Sequence, residues 1–449
     1  MGRLFGTDGV RGVANELLTS ELASKIGKAG AWVLSGGSKN KVKILIGRDT
    51  RISGQMLEAA LTAGICSVGA DVYILGVAPT PAVAYLTKKY GFDAGVVVSA
   101  SHNSFEFNGI KFFDKTGYKL PDETENEIES YILGEKEGIP TPVGDKVGCV
   151  YDFSDKVAEY IEKAVSTATA RFDGKFFVLD CANGASCNTA KKAFEALGAR
   201  VDVLSDSPDG ININDNCGST HMGNLINRVK MVKADAGFAF DGDADRMLAV
   251  DELGNVVDGD AIMAICANDM KKKGTLKNNT LVATVMSNLG LFIMGEKYGI
   301  EVLKTKVGDR YVLEEMLKGG HSIGGEQSGH VIFLEHNTTG DGLVSAISLA
   351  SVMCENGKPL SELAKIIDIY PQVLKNARVA KSGDNSYSDD EVIMDAIRKL
   401  EEKFSGEGRV LIRPSGTEPL VRVMIEGKNQ EEITRDADTL AKLIEERLS

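Results

Sequence analysis

The sequence of 449 residues is poor in several things, and each shortage closes off a class of function. Cysteine comes first: Cys66, Cys149, Cys181, Cys187, Cys217, Cys266 and Cys354 are odd in number and include no CxxC pair. That pattern argues against a disulfide framework or a zinc site and fits reduced thiols. Basic charge is short as well, with 51 Lys and Arg against 64 Asp and Glu and a net charge of −13. Nucleic acid and anionic membranes both need a basic face, so neither is an expected partner. A phosphate ligand would have to find its positive charge locally. No apolar run reaches the length of a membrane span, and the opening MGRLFGTDGVRG has no apolar signal region; a soluble protein of the cytoplasm is expected. Histidine is scarce, and His221, His321 and His336 form no metal-ligand spacing with His330.

What is present reads as α/β. The chain is too long for a single core, and its length points to three or more domains. Ala94 to Val98 is a short valine-rich run bounded by small polar residues, which predicts a buried strand. Strands at Lys43 to Ile46 and Val72 to Leu75 precede it, alternating with helices at Gln55 to Gly69 and Pro81 to Tyr90. Alternation of this kind predicts a mainly parallel sheet with helices on its faces. The scheme repeats with a strand at Phe176 to Leu179, a helix at Ala185 to Leu197 and strands at Val201 to Leu204 and Ala236 to Phe240. A third round has a strand at Leu281 to Val285 and a helix at Leu289 to Tyr298. After Tyr370 and Pro371 the pattern changes to two amphipathic helices flanking a strand pair. The expected architecture is three similar α/β domains with mainly parallel mixed sheets, at 1–150, 151–253 and 254–368, followed by an α+β domain at 369–449.

Four loops carry the chemistry. The Ala94 to Val98 strand empties into Ser99-Ala100-Ser101-His102-Asn103, at the sheet edge where open α/β folds place their ligands. A serine there can act as a nucleophile or phosphate carrier, with His102 and Lys111 near in sequence to balance charge; plain turn chemistry is the bland alternative. Asp241, Asp243 and Asp245 follow another apolar strand. Carboxylates this close repel unless a cation joins them, and all-oxygen ligands suit Mg²⁺ or Ca²⁺. An EF-hand reading fails because Arg246 stands where the turn needs glycine and the flanks are strands. Arg413, Ser415, Gly416, Thr417 and Arg422 combine planar guanidinium forks with hydroxyl and backbone donors, as a phosphate clamp would. On composition Gly324 to His330 reads as a flexible glycine loop and its lone histidine as a structural residue; the functional alternative is that Glu326 and Ser328 suit sugar hydroxyls and that His330 has a pKa range suited to proton transfer.

In order and spacing these loops resemble the α-D-phosphohexomutases. The matching segments are FGTDGVRG at 5–12, SASHN at 99–103, NGIKFF at 108–113, DGDADR at 241–246, GEQSGH at 325–330 and RPSGTEP at 413–419. FGTDGVRG and the glutamine of GEQSGH tilt the match toward the branch acting on glucosamine phosphates. The resemblance implies four domains around a central cleft. It implies Ser101 as a phosphoserine and Mg²⁺ on Asp241, Asp243, Asp245 and that phosphoserine. Arg11, Lys111, His330 and Arg246 would lie by the reacting oxygen. The implied reaction interconverts glucosamine 6-phosphate and glucosamine 1-phosphate through a bound hexose 1,6-bisphosphate, feeding UDP-N-acetylglucosamine and peptidoglycan precursor synthesis. Its partner is a small amino sugar phosphate, and a homodimer is a family expectation. A phosphomannomutase/phosphoglucomutase shares every catalytic element; a phosphatase or a non-catalytic sugar-phosphate sensor fits less well. One departure stands out: Ser104 replaces the proline that commonly follows SASHN, which would loosen the serine loop.

Overall fold

A computed structural model describes residues 4–6, 8–36, 41–380, 387–414 and 419–448. The candidate clamp residues Ser415, Gly416 and Thr417 therefore lie outside the described residues. The chain forms two compact units, one of residues 1–286 and 299–366, the other of residues 287–298 and 367–449.

Three sheets build the larger unit. The first has the strand order Val10–Val13, Phe107–Asp114, Ala94–Val98, Lys43–Arg48, Asp71–Val77, Val150–Asp152. Its last four strands run parallel, while Phe107–Asp114 and Val10–Val13 add an antiparallel edge. The second sheet has the order Val256–Val257, Met247–Asp251, Ala236–Phe240, Phe176–Asp180, Arg200–Leu204, and the third Glu301–Thr305, Thr280–Thr284, Ile323–Gly325, Val331–Phe333. In each, parallel pairing holds the helix-connected strands and antiparallel strands extend the edge. All five residues of Ala94–Val98 and of Ala236–Phe240 are buried. Helices on both faces require such unbroken apolar strands, and both runs end abruptly in the polar loops of interest. Phe172, Phe177, Phe194 and Phe238 pack against one another in the second sheet's core, with ring centroids 5.4–5.8 Å apart.

The smaller unit is a three-stranded antiparallel sheet, Gln372–Arg378, Leu420–Gly427, Gly408–Pro414, packed against the helices Glu391–Lys403 and Gln430–Leu448. The helix Leu289–Tyr298 belongs to this unit: its first amide donates to Glu426 Oε2 at 3.2 Å, and Asn288 Nδ2 donates to the Tyr370 carbonyl at 2.9 Å. None of the described helices is long and apolar enough to cross a membrane.

One expected helix is broken. Ala185 to Leu197 divides into a 3₁₀ turn, Ala185–Asn188, and a helix, Ala190–Ala196, separated by Thr189 at φ −123° and ψ −47°. The Ala185 amide donates to the Gly242 carbonyl at 2.8 Å and Ser186 Oγ to the Cys181 carbonyl at 3.2 Å. Those bonds fix the segment's start to neighbouring loops before the helix can begin, and apolar periodicity carries no sign of them.

Glu125 sits buried in the helix Asp122–Ile132, with Arg310 of the helix Asp309–Gly319 at 3.7 Å. Burial pushes its carboxyl up to about 7, against the pull of Arg310. A carboxyl raised on folding favours the fold while protonated, and that contribution is lost as pH rises from about 4.5 through 7. Glu125→Gln should therefore raise the melting temperature at pH 8 and leave it nearly unchanged at pH 4.5, as read by calorimetry; an equal shift at both pH values would contradict the assignment.

Candidate active site

The Ser101 loop is held in a conformation that serine adopts only rarely. Ser101 has φ +52°, in the left-handed region, where a non-glycine residue costs about 1–3 kcal/mol. Arg51 supplies the restraint. Its guanidinium donates to the carbonyls of Ser101 at 2.9 Å, Asn103 at 2.8 Å and Ser104. Asp49 in turn pins Arg51 at 2.8 Å and accepts from Ser99 Oγ at 2.6 Å, while Ser99 Oγ accepts from the Ser101 amide at 3.0 Å. Asn214 Nδ2 reaches the Ser101 and Asn103 carbonyls, both at 2.9 Å. Among the atoms that Arg51 grips is the main-chain carbonyl of Ser104, the residue standing where proline is common.

The loop's tightness brings Ser101 Oγ to Asp241, donating to Oδ2 at 2.6 Å. Gly242 is required at this approach, because a Cβ there would lie 2.5 Å from the Ser101 carbonyl oxygen. Asp241, Asp243 and Asp245 are 1%, 0% and 5% exposed, and one carboxylate oxygen from each lies within 4.8 Å of the others. Burial, with Asp245 and Asp243 adding their repulsion, pushes the Asp241 carboxyl well above the usual range. Asp243 Oδ2 accepts from Lys111 Nζ at 3.0 Å and Thr80 Oγ1 at 2.6 Å, but the buried oxygens Asp243 Oδ1 and Asp245 Oδ1 find no hydrogen-bond donor. Converging, under-satisfied carboxylate oxygens of this kind suit a hard divalent cation, and the donor set fits one.

Charges of alternating sign lead away from the triad. Lys111 lies 3.0 Å from Asp8, which also pairs with Arg11 and, at 2.6 Å, with Lys119; Lys119 bridges to Asp309 at 2.6 Å. His330 stands between the chain's two ends, with Nδ1 3.5 Å from Asp245 Oδ2 and Nε2 3.5 Å from Asp309 Oδ2. The Gly340 amide donates to Nε2 at 3.2 Å, which sets the ring proton on Nδ1, facing Asp245. Burial lowers the ring's pKa, but Asp245 and Asp309 raise it further, so a second proton on Nε2 would be met by a carboxylate. His102 is the opposite case: its Nδ1 is 3.5 Å from Ser101 Oγ, and burial, Arg246 and Arg11 all lower its pKa. The Arg246 amide donates to Asp241 Oδ1 at 3.2 Å, and its Nε lies 3.7 Å from Asp245.

The structure thus brings together Ser101, His102, Lys111, Arg11, Arg246, His330 and the three aspartates. Glu326 is half-buried beside them, its Oε1 accepting from the Gly308 amide at 3.1 Å, and Ser328 is exposed on the same turn. In the smaller unit Arg413 and Arg422 are directly opposite on adjacent antiparallel strands, hence on one face. Burial and Arg422 lower the pKa of Arg413. Like charges paired across a sheet are unfavourable without an anion to join them. Arg51, Asp49, Asn214, Asp8, Lys119 and Asp309 are the members that sequence reasoning missed. Asp8 lies inside FGTDGVRG and Asp49 and Arg51 inside a polar turn after a strand, so each had a faint local signal; Lys119 had none.

The chain matches the family models "Phosphoglucomutase/phosphomannomutase" alpha/beta/alpha domain I over residues 2–138, domain II over 153–254 and domain III over 258–370, and the C-terminal domain over 374–443. The chain belongs to the α-D-phosphohexomutase family. Among members of that family, it is 60% identical to phosphoglucosamine mutase of Ruminiclostridium cellulolyticum over 449 residues, covering 100% of both chains. It is 59% identical to that of Acetivibrio thermocellus over 448 residues, again covering 100% of both. Of solved phosphohexomutase structures, a phosphoglucomutase/phosphomannomutase family protein of Burkholderia thailandensis superposes with TM-score 0.81 at 23% identity, over 99% of this chain and 97% of that one. The N-acetylphosphoglucosamine mutase of Aspergillus fumigatus, in complex with GlcNAc-6P and magnesium, gives TM-score 0.68 at 17% identity, over 99% and 96%. At these identities the two structures speak for the phosphohexomutase fold.

Two outcomes test the site as described. Arg51→Met should cost about 3–5 kcal/mol in denaturant unfolding, because it strands Asp49 as a buried charge; adding Asp49→Asn should recover part of that loss. Magnesium at a hundred times its dissociation constant should add about 2.7 kcal/mol of stability, seen as a higher melting temperature that EDTA reverses. Asp243→Asn should abolish the magnesium-dependent rise.

Proposed function

We propose that the chain interconverts glucosamine 6-phosphate and glucosamine 1-phosphate, with Ser101 as the phosphoryl carrier. The observation that carries this reading is Ser101 Oγ at 2.6 Å from Asp241, within the buried triad that also holds Lys111. Full-length identity near 60% to phosphoglucosamine mutases selects the sugar. Mg²⁺, held by Asp241, Asp243, Asp245 and the phosphorylated Ser101, would supply neutralisation of charge on the transferring group. Lys111, Arg11 and Arg246 add fixed positive charge around the same oxygens, where pre-organised electrostatics does most of the work.

In the forward direction the phosphoserine ester bond breaks as the free C1 hydroxyl of glucosamine 6-phosphate takes the phosphoryl group. The hydroxyl proton leaves to a neighbouring base, a role we assign to His330, whose Nε2 lies 3.5 Å from Asp309 Oδ2. The resulting glucosamine 1,6-bisphosphate turns end for end, returns its 6-phosphoryl to Ser101, and leaves as glucosamine 1-phosphate. Glu326 and Ser328 hold the sugar hydroxyls. Arg413, Arg422 and the loop of Ser415, Gly416 and Thr417 hold the phosphate that is not reacting, in both orientations. The product would feed UDP-N-acetylglucosamine synthesis, and the enzyme would work in the cytoplasm. A homodimer remains the family's expectation.

The test is ³¹P NMR with Mg²⁺ and a trace of hexose 1,6-bisphosphate, offering glucosamine, glucose and mannose 6-phosphates in parallel. Rapid formation of glucosamine 1-phosphate alone is expected, and Ser101→Ala should reduce it by at least about 10⁴-fold, the scale seen when a covalent nucleophile is removed. Preference for glucose or mannose 6-phosphate would keep the mechanism and reassign the sugar. Release of free phosphate alone would make the enzyme a phosphatase.

A further inference from the structure

A cavity of about 430 Å³ opens between the C-terminal end of the helix Thr80–Tyr90, the helix Val157–Val165 and the segment after the strand Val331–Phe333. Tyr85, Lys88, Lys89, Lys163, Glu335 and His336 line it. Three lysines around one cavity are unexpected in a chain with a net charge of −13. Two of the lining charges are already matched: Lys89 pairs with Glu159 at 2.5 Å, and Glu335 pairs with Lys277 at 2.9 Å. Lys88 and Lys163, which also line the cavity, form no ion pair with any carboxylate among the described residues. Burial and the nearby Lys163 lower the pKa of His336, which lines the cavity together with Tyr85.

Both principal walls end at the active site. The helix that carries Tyr85 and Lys88 begins at Thr80, whose amide donates to the Asp243 carbonyl at 2.9 Å and whose hydroxyl donates to Asp243 Oδ2 at 2.6 Å. The segment that carries Glu335 and His336 continues through Asn337, which donates to the Pro81 carbonyl at 3.1 Å, to Gly340, whose amide donates to His330. Gly340 has no slack, since a Cβ on it would lie 2.5 Å from the imidazole. Each wall is therefore joined by hydrogen bonds to a residue of the active site, Asp243 or His330.

We propose that this cavity is a second anion site, taking a phosphate-bearing small molecule whose phosphate lies between Lys88 and Lys163 and whose flat portion lies against Tyr85 and His336, and that its occupancy alters turnover. The binding half stands without the reading of the catalytic site; the coupling half rests on the proposed roles of Asp243 and His330.

Reductive labelling of the full chain with pyridoxal 5′-phosphate and borohydride, followed by peptide mass spectrometry, tests the binding half without any activity measurement. Lys88 and Lys163 should label faster than other exposed lysines such as Lys399, and inorganic phosphate, ADP or glucosamine 6-phosphate should slow them at least tenfold. Protection by all three would mean that the phosphate alone is recognised, and protection by ADP alone would mean that the flat portion is needed; either supports the site. Labelling at the rate of Lys399, or no protection by any of the three, would overturn it. For the coupling half, Lys88→Gln/Lys163→Gln should keep the basal kcat/KM and lose the change in kcat that the protecting anion causes in the unmodified enzyme. An identical response in both proteins, or none in the unmodified enzyme, would overturn the coupling and leave the binding result standing.

Discussion

Three carboxylates buried within 4.8 Å of one another are the constraint to which the larger unit is built. Two unit charges 4 Å apart repel by about 4 kcal/mol even at an effective dielectric of 20, and Asp241, Asp243 and Asp245 impose that repulsion pairwise. The surroundings answer it group by group. Lys111 and Thr80 take one oxygen of Asp243, the Arg246 amide and the Ser101 hydroxyl take the two oxygens of Asp241, and His330 faces Asp245. The donors come from a strand of the first sheet and from the helix and loops that connect strands of all three sheets. The same pairings that relieve the charge also fix Ser101, Lys111 and His330 about one point.

The alternation of sign from Arg11 through Asp8, Lys119 and Asp309 to His330 follows from the same need. Lys111 and Lys119 are each buried or nearly so, and burial alone would push their ammonium groups toward neutrality; the flanking carboxylates reverse that and raise both. A lysine held charged in this way is a fixed source of positive potential, which a flexible surface lysine is not. Removing one link would leave its neighbour as an uncompensated buried charge, so effects at Asp8 or Lys119 should be larger than their distance from the reacting serine implies.

The parts of this arrangement that could be read from sequence are the ones that are local in the chain. Ala94–Val98 and Ala236–Phe240 are uninterrupted apolar runs stopping at polar loops, so Ser101 and the three aspartates announced themselves as strand-end residues. Arg413 and Arg422 could be singled out by type, and the hairpin sets them opposite each other. What the sequence concealed depends on contacts across long separations. Arg51 reaches Ser101 from 50 residues away and Asn214 from 113, and each does so through a backbone carbonyl, which has no residue-type signature. Lys119 has meaning only once Asp8 and Asp309 are beside it. The break at Thr189 arises from bonds to Gly242 and Cys181, so periodicity within the segment predicted a continuous helix.

The smaller unit is not a continuous stretch of chain. Its helix Leu289–Tyr298 is made before residues 299–366, which belong to the larger unit, and Glu426, to which Leu289 is bonded, lies on the last described strand of the chain. On the ribosome that helix must wait, with its apolar face uncovered, until more than a hundred further residues have been added. A gene fragment beginning at residue 369 would likewise encode a domain lacking one of its own walls. Independent production of the C-terminal unit therefore calls for a rearranged chain, in which residues 287–298 are joined to one of its ends by a new linker.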